Sequence, residues 1–127
     1  MSEQILETVK KSIGGDSDNA YFNPDLIMHI NSVFSILRQM GAGPTSGFRI
    51  STGTEGWHNF STDESLLDLV KTYICLKVKL LFDPPISSIV TEVINREVAE
   101  YEWRISVHVD PTAEEIAALE NEEESQS

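Results

Sequence analysis

The sequence has little of three features that would direct its interpretation at once: cysteine pairs, basic side chains and long apolar runs. Its 127 residues include a single cysteine, so no disulfide can form within the chain, and the apolar neighbours of Cys75 predict a small core residue. Lys and Arg number nine against 21 Asp and Glu, for a net charge of −12. A chain this acidic lacks the dense basic face by which proteins bind duplex DNA or an anionic membrane.

Membrane insertion and export are also unexpected. No apolar run approaches the roughly 18 residues of a membrane-spanning helix, and residues 1–5 lack the basic and apolar regions of a signal peptide. A chain of 127 residues can bury a core without metals or disulfides. We therefore expect a soluble, non-exported protein with one compact domain, made in a reducing cytoplasm.

The acidity is concentrated at the C-terminus. Residues 110–127 hold seven of the 21 acids and no base, whereas residues 1–109 hold 14 acids and nine bases, a net charge of −5. Beyond residue 110 the bulky apolar groups are few, chiefly Ile116 and Leu119. The sequence predicts a helical domain over residues 1–110 and an acidic, disordered tail over residues 111–127.

Apolar residues at helical spacing predict four helices. The first covers residues 3–13 and ends at Gly14. The second covers residues 24–40, with Asn23 as the N-cap and Pro24 in the first helical position. Its predicted buried stripe consists of Leu26, Ile27, Ile30, Val33, Phe34, Leu37 and Met40.

The third and fourth helices are separated by Pro84 and Pro85, which end the third. The third begins at a capping box with Ser61 as N-cap and Glu64 as third helical residue, and its apolar residues cover more than one face, as in a central helix. The fourth covers about residues 86–107. Its predicted buried stripe consists of Ile86, Ile89, Val90, Val93, Ile94, Val98, Tyr101 and Ile105. Its outer face carries Glu92, Arg96, Glu100 and Arg104, a spacing typical of surface ion pairs.

Between the second and third helices, residues 41–60 are rich in glycine and break the helical period. The alternation at residues 48–50 favours an extended loop or a small hairpin. Trp57 and Phe60 either cover one end of the helical core or anchor a partner. The predicted fold class is mainly α: a four-helix-bundle-like single domain with a short irregular or β-hairpin insertion between helices 2 and 3.

Catalytic and metal-binding patterns are absent from the sequence. The chemically capable residues His29, His58, His108 and Cys75 share no catalytic or metal-ligand spacing. The acids at 16 and 18 fail the calcium-loop pattern, because position 20 is alanine and the required glycine is missing. We therefore predict no enzyme, and no catalytic, cofactor-binding or metal-ligating residues.

Several segments together resemble a known family. They are the run from Tyr21 through Phe34, the turn Gln39-Met40-Gly41-Ala42-Gly43-Pro44, the run from Val70 through Pro85, and Glu102-Trp103-Arg104. In order and spacing they resemble the head-tail connector proteins of tailed phages, over nearly all of residues 3–110. Each motif alone is a helix start, a helix stop or a core face, so the resemblance rests on their succession.

The resemblance implies a helical adaptor that assembles as a ring beneath the portal of the filled head. The ring would be dodecameric to match the portal, and it would receive the tail or a stopper protein. It implies location at the head-tail junction of the virion, with host cytoplasm as the site of assembly. Genomic DNA would only pass through the channel, and no cofactor and no membrane are implied.

The resemblance does not assign contact residues, so exposed chemistry selects them. The candidate interface residues are Phe48, Ile50, Trp57, Phe60, Trp103 and Arg104. Two other function classes remain open at this point: a non-phage helical interaction or scaffolding module, and a small enzyme whose site one sequence does not display.

Overall fold

Five α-helices make up most of the described part of the chain, residues 3–110 of a computed structural model, in which the side chain of Asp16 is not described. They are α1 (Ile5–Ile13), α2 (Asn23–Gln39), α3 (Trp57–Phe60), α4 (Glu64–Phe82) and α5 (Ser88–Val109). Two 3₁₀ turns, Gly15–Asp18 and Ala20–Phe22, join α1 to α2. The prediction of a mainly helical chain is confirmed, and the predicted tail, residues 111–127, lies outside the described residues.

Two predicted helix starts differ from those observed. Asp63, not Ser61, is the N-cap of α4, and its side chain accepts a hydrogen bond from the Leu66 N–H at 3.2 Å. Ser61 is instead the C-cap of the unpredicted helix α3, and its hydroxyl accepts a hydrogen bond from the Asp63 N–H at 3.1 Å. At α2 the N-cap position is Phe22, and Asn23 is already helical.

Helix α4 is central, with α1, α2 and α5 packed against it. Its Leu67, Val70, Tyr73, Ile74 and Val78 are buried. The core is completed from α1 by Ile5, Leu6 and Val9, from α2 by Leu26, Ile30, Val33, Phe34 and Leu37, and from α5 by Val98 and Ile105. None of the helices within residues 3–110 is long and apolar enough to cross a bilayer.

The insertion between α2 and α4 belongs to this core. Ala42, Ile50, Trp57 and Phe60 are each at most 4 % exposed. Gly43 adopts a positive φ of 85°, and a side chain there would overlap the Phe60 ring, so only glycine suits the position. The fold therefore differs from the predicted four-helix bundle with an appended loop: it has a fifth, short helix, and its insertion packs inward.

The alternative of a β-hairpin in the insertion is not observed. Residues 41–56 are irregular, and no strand occurs anywhere in residues 3–110. The segment is instead held at its end by an isolated antiparallel bridge between Gln4 and Gly56. Next to this bridge the N–H of Ile5 donates to the Glu55 carbonyl, and the N–H of Trp57 donates to the Glu3 carbonyl.

The predicted buried stripe of the fourth helix is correct only in its second half. Val98 and Ile105 are buried, and Ile94 and Tyr101 are half-buried. Ile86, Ile89, Val90 and Val93 are exposed, against expectation. The helix begins at Ser88, after Ile86, and its principal packing partner is α4, so one side of its first half has no helix against it. The predicted ion pairs of its outer face are confirmed.

Candidate interaction surfaces

The first half of α5 carries an apolar face that the described chain leaves open to solvent. Ile86 and Ile89 are 106 % and 72 % exposed, and Val90 and Val93 are 46 % and 48 % exposed. Spacings of three and four residues place Ile89, Val90 and Val93 on one side of the helix, and Ile86 lies just before its first turn. Leu81, 50 % exposed near the end of α4, is a further apolar side chain in this α4–α5 hairpin. Contiguous apolar surface of this kind marks interaction sites in soluble proteins.

We call this surface the α5 apolar face, defined by Ile86, Ile89, Val90 and Val93. The sequence shows these apolar residues at helical spacing, but that spacing predicted that they would be buried in the core. A helix with one packing partner can cover only a stripe, and the β-branched residues at the start of α5 exceed what α4 can cover. The excess apolar surface is therefore available to a group that does not belong to residues 3–110.

The residues predicted for the interface separate into two groups. Ile50, Trp57 and Phe60 are buried, and Phe48 is half-buried. Trp103 and Arg104 remain on the surface of α5, with Trp103 55 % exposed and the Arg104 guanidinium 2.8 Å from Glu100. The insertion therefore does not expose Ile50, Trp57 or Phe60 within the described chain, and a contact role for any of the six residues stays a prediction.

The aromatic residues of the insertion form a cluster with α2. The ring of Phe48 lies 4.9 Å from that of Phe34 and 5.5 Å from that of Phe60, both nearly perpendicular. Edge-to-face contacts at these distances favour a fixed arrangement of the rings. Trp57 lies at the other end of α3, where its indole N–H donates to the Thr8 hydroxyl at 2.9 Å. The interpretation that these side chains cover the core is the one that the structure supports.

A side chain of α2 fixes the middle of the insertion. Asn31 donates from its amide nitrogen to the Ile50 carbonyl at 2.9 Å and accepts from the Ile50 N–H at 2.8 Å. This pair of hydrogen bonds imitates one rung of a β-ladder and satisfies a backbone segment that has no strand partner. The sequence placed Asn31 beside the apolar stripe of α2 but gave no sign of its partner.

Glu55 organises the turn before α3. Its carboxylate accepts hydrogen bonds from the N–H groups of Ser51 at 2.6 Å and Gly53 at 2.9 Å, and from the Thr52 N–H at 3.4 Å. Desolvation by itself raises the pKa of Glu55, but these backbone hydrogen bonds outweigh it and lower the pKa from 4.5 to about 2. Glu55 therefore stays ionised, and its charge holds the turn closed.

The start of α4 and the end of α5 meet at a charged contact. His108 Nε2 lies 2.8 Å from Asp63 Oδ2, the residue that also caps α4. The hydrogen bond from His108, together with that from the Leu66 N–H, lowers the pKa of Asp63. This contact fixes where the chain leaves α5.

Metal binding and catalysis by a reactive cysteine have little support in the structure. Within residues 3–110 no group of three or more His, Cys, Asp or Glu side chains could hold a metal ion. Burial raises the pKa of the Cys75 thiol, which makes it a poorer nucleophile. The candidate sites on the described chain are therefore exposed surfaces, chiefly the α5 apolar face.

The comparisons with known proteins agree with this description. A family model described as phage connector protein matches residues 5–112, a span that contains all five helices. No curated protein and no solved structure shows a significant match to the chain.

Proposed function

The chain belongs to the phage connector protein family, and from this membership we propose that it works as a head-tail connector. In this role it assembles as a ring under the portal and joins the DNA-filled head to the tail or to a stopper protein. The family is one of structural proteins of the phage particle. The proposal extends this structural role to a ring, a portal and a tail-side partner.

The observation that carries the proposal is the α5 apolar face. A subunit of a ring needs a surface that stays open in the monomer and is covered by the next copy. Ile89, Val90 and Val93 lie on one long, continuous helix, and Ile86 lies just before that helix begins. Burying an exposed isoleucine or valine side chain stabilises an interface by roughly 1.5–3 kcal/mol. Covering this face therefore favours association.

The other parts of the proposal follow from the position of a ring at the head-tail junction. The portal would contact one end of the ring and the tail or stopper protein the other, with genomic DNA passing between them. A ring that matches a dodecameric portal would contain twelve copies. Trp103 and Arg104, exposed on the second half of α5, are the proposed contact residues for these partners.

Ile89→Glu tests the assembly surface. A glutamate at the centre of the α5 apolar face would have to be buried uncompensated, which is unfavourable. We expect the variant to remain monomeric where the wild-type chain forms rings with portal, as measured by negative-stain imaging and light scattering. Asn95→Glu is the matched control, because Asn95 is exposed on the same helix and the substitution adds the same charge.

The outcomes separate two failures. Rings formed equally well by Ile89→Glu would show that another surface mediates assembly. A wild-type chain that neither forms rings nor binds portal would contradict the connector role itself. Circular dichroism of both variants establishes that the helices remain folded, as expected for an isoleucine that is 72 % exposed.

A further inference from the structure

A second surface, on the insertion side of α2, is positively charged in an otherwise acidic protein. Two adjoining grooves of about 390 and 420 Å³ lie between α2 and residues 46–49, and both are lined by Ser35 and Arg49. Arg38 lines the larger groove as well. Every other residue that lines them is apolar or uncharged, and none is acidic. We call the two together the arginine groove.

The charges of this groove have no counterions in the described chain. Within residues 3–110 Arg49 makes no hydrogen bond and no ion pair, and Arg38 donates only from Nε to the Thr45 carbonyl at 3.2 Å. The arginines of α5 differ, because Arg96 and Arg104 each lie within 2.9 Å of a glutamate one turn earlier. Two guanidinium groups on one groove attract a carboxylate-rich ligand.

The C-terminal segment of the same chain has the complementary composition. Residues 111–127 contain six glutamates and no base, and Ile116 and Leu119 supply apolar groups. The arginine groove offers apolar surface to match, since Met28 is 60 % exposed there and Phe48 is half-buried.

The last residue of α5 lies at the end of α2, the helix that carries Arg38. Val109, the last residue of α5, packs at the end of α2: its Cγ1 lies 3.1 Å from the position that a Cβ on Gly41 would occupy. The N–H of Gly41 donates to the Arg38 carbonyl at 2.9 Å, so Val109 lies near the backbone of α2 at its Arg38 end. An extended chain of 17 residues spans up to roughly 55 Å, which is ample for reaching Arg49.

We infer that residues 111–127 dock on the arginine groove of their own chain, with glutamates on Arg38 and Arg49. The link through α5 makes the contact intramolecular, so weak individual ion pairs act at a high effective concentration. Salt weakens the contact, because Arg38 and Arg49 are solvent-exposed charges that ions can screen. The inference concerns the single chain and does not depend on ring formation or on portal.

Paramagnetic relaxation in the full-length chain tests the docking directly. A nitroxide label on Ser125→Cys, in a Cys75→Ala background, leaves all six glutamates of the segment intact. We expect selective loss of the amide signals of Ser46, Gly47 and Phe48, and recovery of those signals in 0.5 M NaCl. A second sample mixes isotope-labelled chain that carries no nitroxide with nitroxide-bearing chain that carries no isotope label. This mixture should show no signal loss, because the contact lies within one molecule.

Arg49→Glu supplies the decisive variant, since within residues 3–110 Arg49 makes no hydrogen bond and no ion pair whose loss would disturb the fold. In the nitroxide-labelled Arg49→Glu chain, the intensities of the Ser46, Gly47 and Phe48 amide signals should be at least several-fold higher than in the labelled chain that retains Arg49. Lys11→Glu, the same charge reversal at an exposed position on α1, should leave the signal loss unchanged. Equal loss in Arg49→Glu, loss spread evenly over the domain, or loss in the mixed sample would each overturn the inference. Unchanged amide shifts elsewhere in the spectrum verify the fold of every variant.

Discussion

Asn31 is a single side chain on which the path of the insertion depends. Replacing it with alanine leaves the Ile50 N–H and carbonyl without their partners, next to a side chain that is 2 % exposed. We expect Asn31→Ala to lower the free energy of unfolding by about 1–3 kcal/mol, as for an unsatisfied buried polar group. Chemical denaturation measures this change, and hydrogen exchange at the Ile50 amide reports the local opening.

Ser32→Ala is the matched control for Asn31→Ala. Ser32 is the next residue of α2, is exposed and bonds only to the His29 carbonyl of its own helix. Its loss should change the stability by a few tenths of a kcal/mol at most. Equal unfolding free energies for the two variants would show that the insertion does not need the Asn31 contact.

Glu55 makes the stability of the insertion depend on pH. Its pKa is about 2 in the folded chain and ordinarily 4.5, so the folded state binds a proton less readily than the unfolded state. Its stabilising contribution is therefore complete above about pH 4.5 and is lost as the pH falls towards 2. We expect Glu55→Gln to lower the thermal unfolding midpoint at pH 7 and to match the wild type near pH 2.

The control for Glu55→Gln is Glu97→Gln, at an exposed glutamate that lies on α5 without an ion pair among residues 3–110. Its unfolding midpoint should follow that of the wild type at every pH. A constant difference between Glu55→Gln and wild type from pH 7 to pH 2 would mean that packing, not the charge, accounts for the role of Glu55.

At the scale of helices, the sequence predicts where four elements lie because their apolar spacing and their glycine and proline boundaries are local signals. It fails at α3, where a four-residue helix is too short to show a period. In the same segment Ser61 is the C-cap of α3, and the N-cap of α4 is Asp63.

The candidate surfaces are harder to predict than the helices, because exposure depends on which elements meet in space. An apolar stripe looks the same in the sequence whether a neighbouring helix covers it or a partner does. Val98 and Val93 both belong to the predicted stripe of α5, yet they are 6 % and 48 % exposed. Tertiary packing likewise brings Asn31 to Ile50 and Val109 to Gly41. Helical periodicity does not predict such contacts.

For the aromatic residues of the insertion the error is the reverse: side chains expected to be exposed are buried. Glycine-rich surroundings suggest that Trp57 is exposed, but it is 1 % exposed and bonded to Thr8. Glycine at 43 allows the chain to turn so closely that the Phe60 ring packs against the backbone. The glycines thus permit inward packing of the insertion.

At the scale of the whole molecule, net charge determines whether a connector ring would attract or repel the DNA that passes through it. Residues 1–109 carry a net charge of −5, and each copy in a ring adds the same imbalance. Four of the nine bases, Lys71, Lys79, Arg96 and Arg104, already have carboxylate neighbours within 4 Å. The arginine groove, if covered by residues 111–127, would likewise be neutralised.

We therefore expect a channel wall that is neutral or acidic and that lets DNA slide without binding. Exposed like charges repel within a Debye length of about 8 Å at physiological salt, so phosphates near the wall would meet no attractive field. The measurement is a salt-titrated DNA-binding assay on assembled rings, in which no binding should be detected at 0.15 M salt. Micromolar or tighter affinity that falls steeply with added salt would reveal a basic surface in the ring and contradict an inert channel, because such a slope reports phosphate contacts that release counterions.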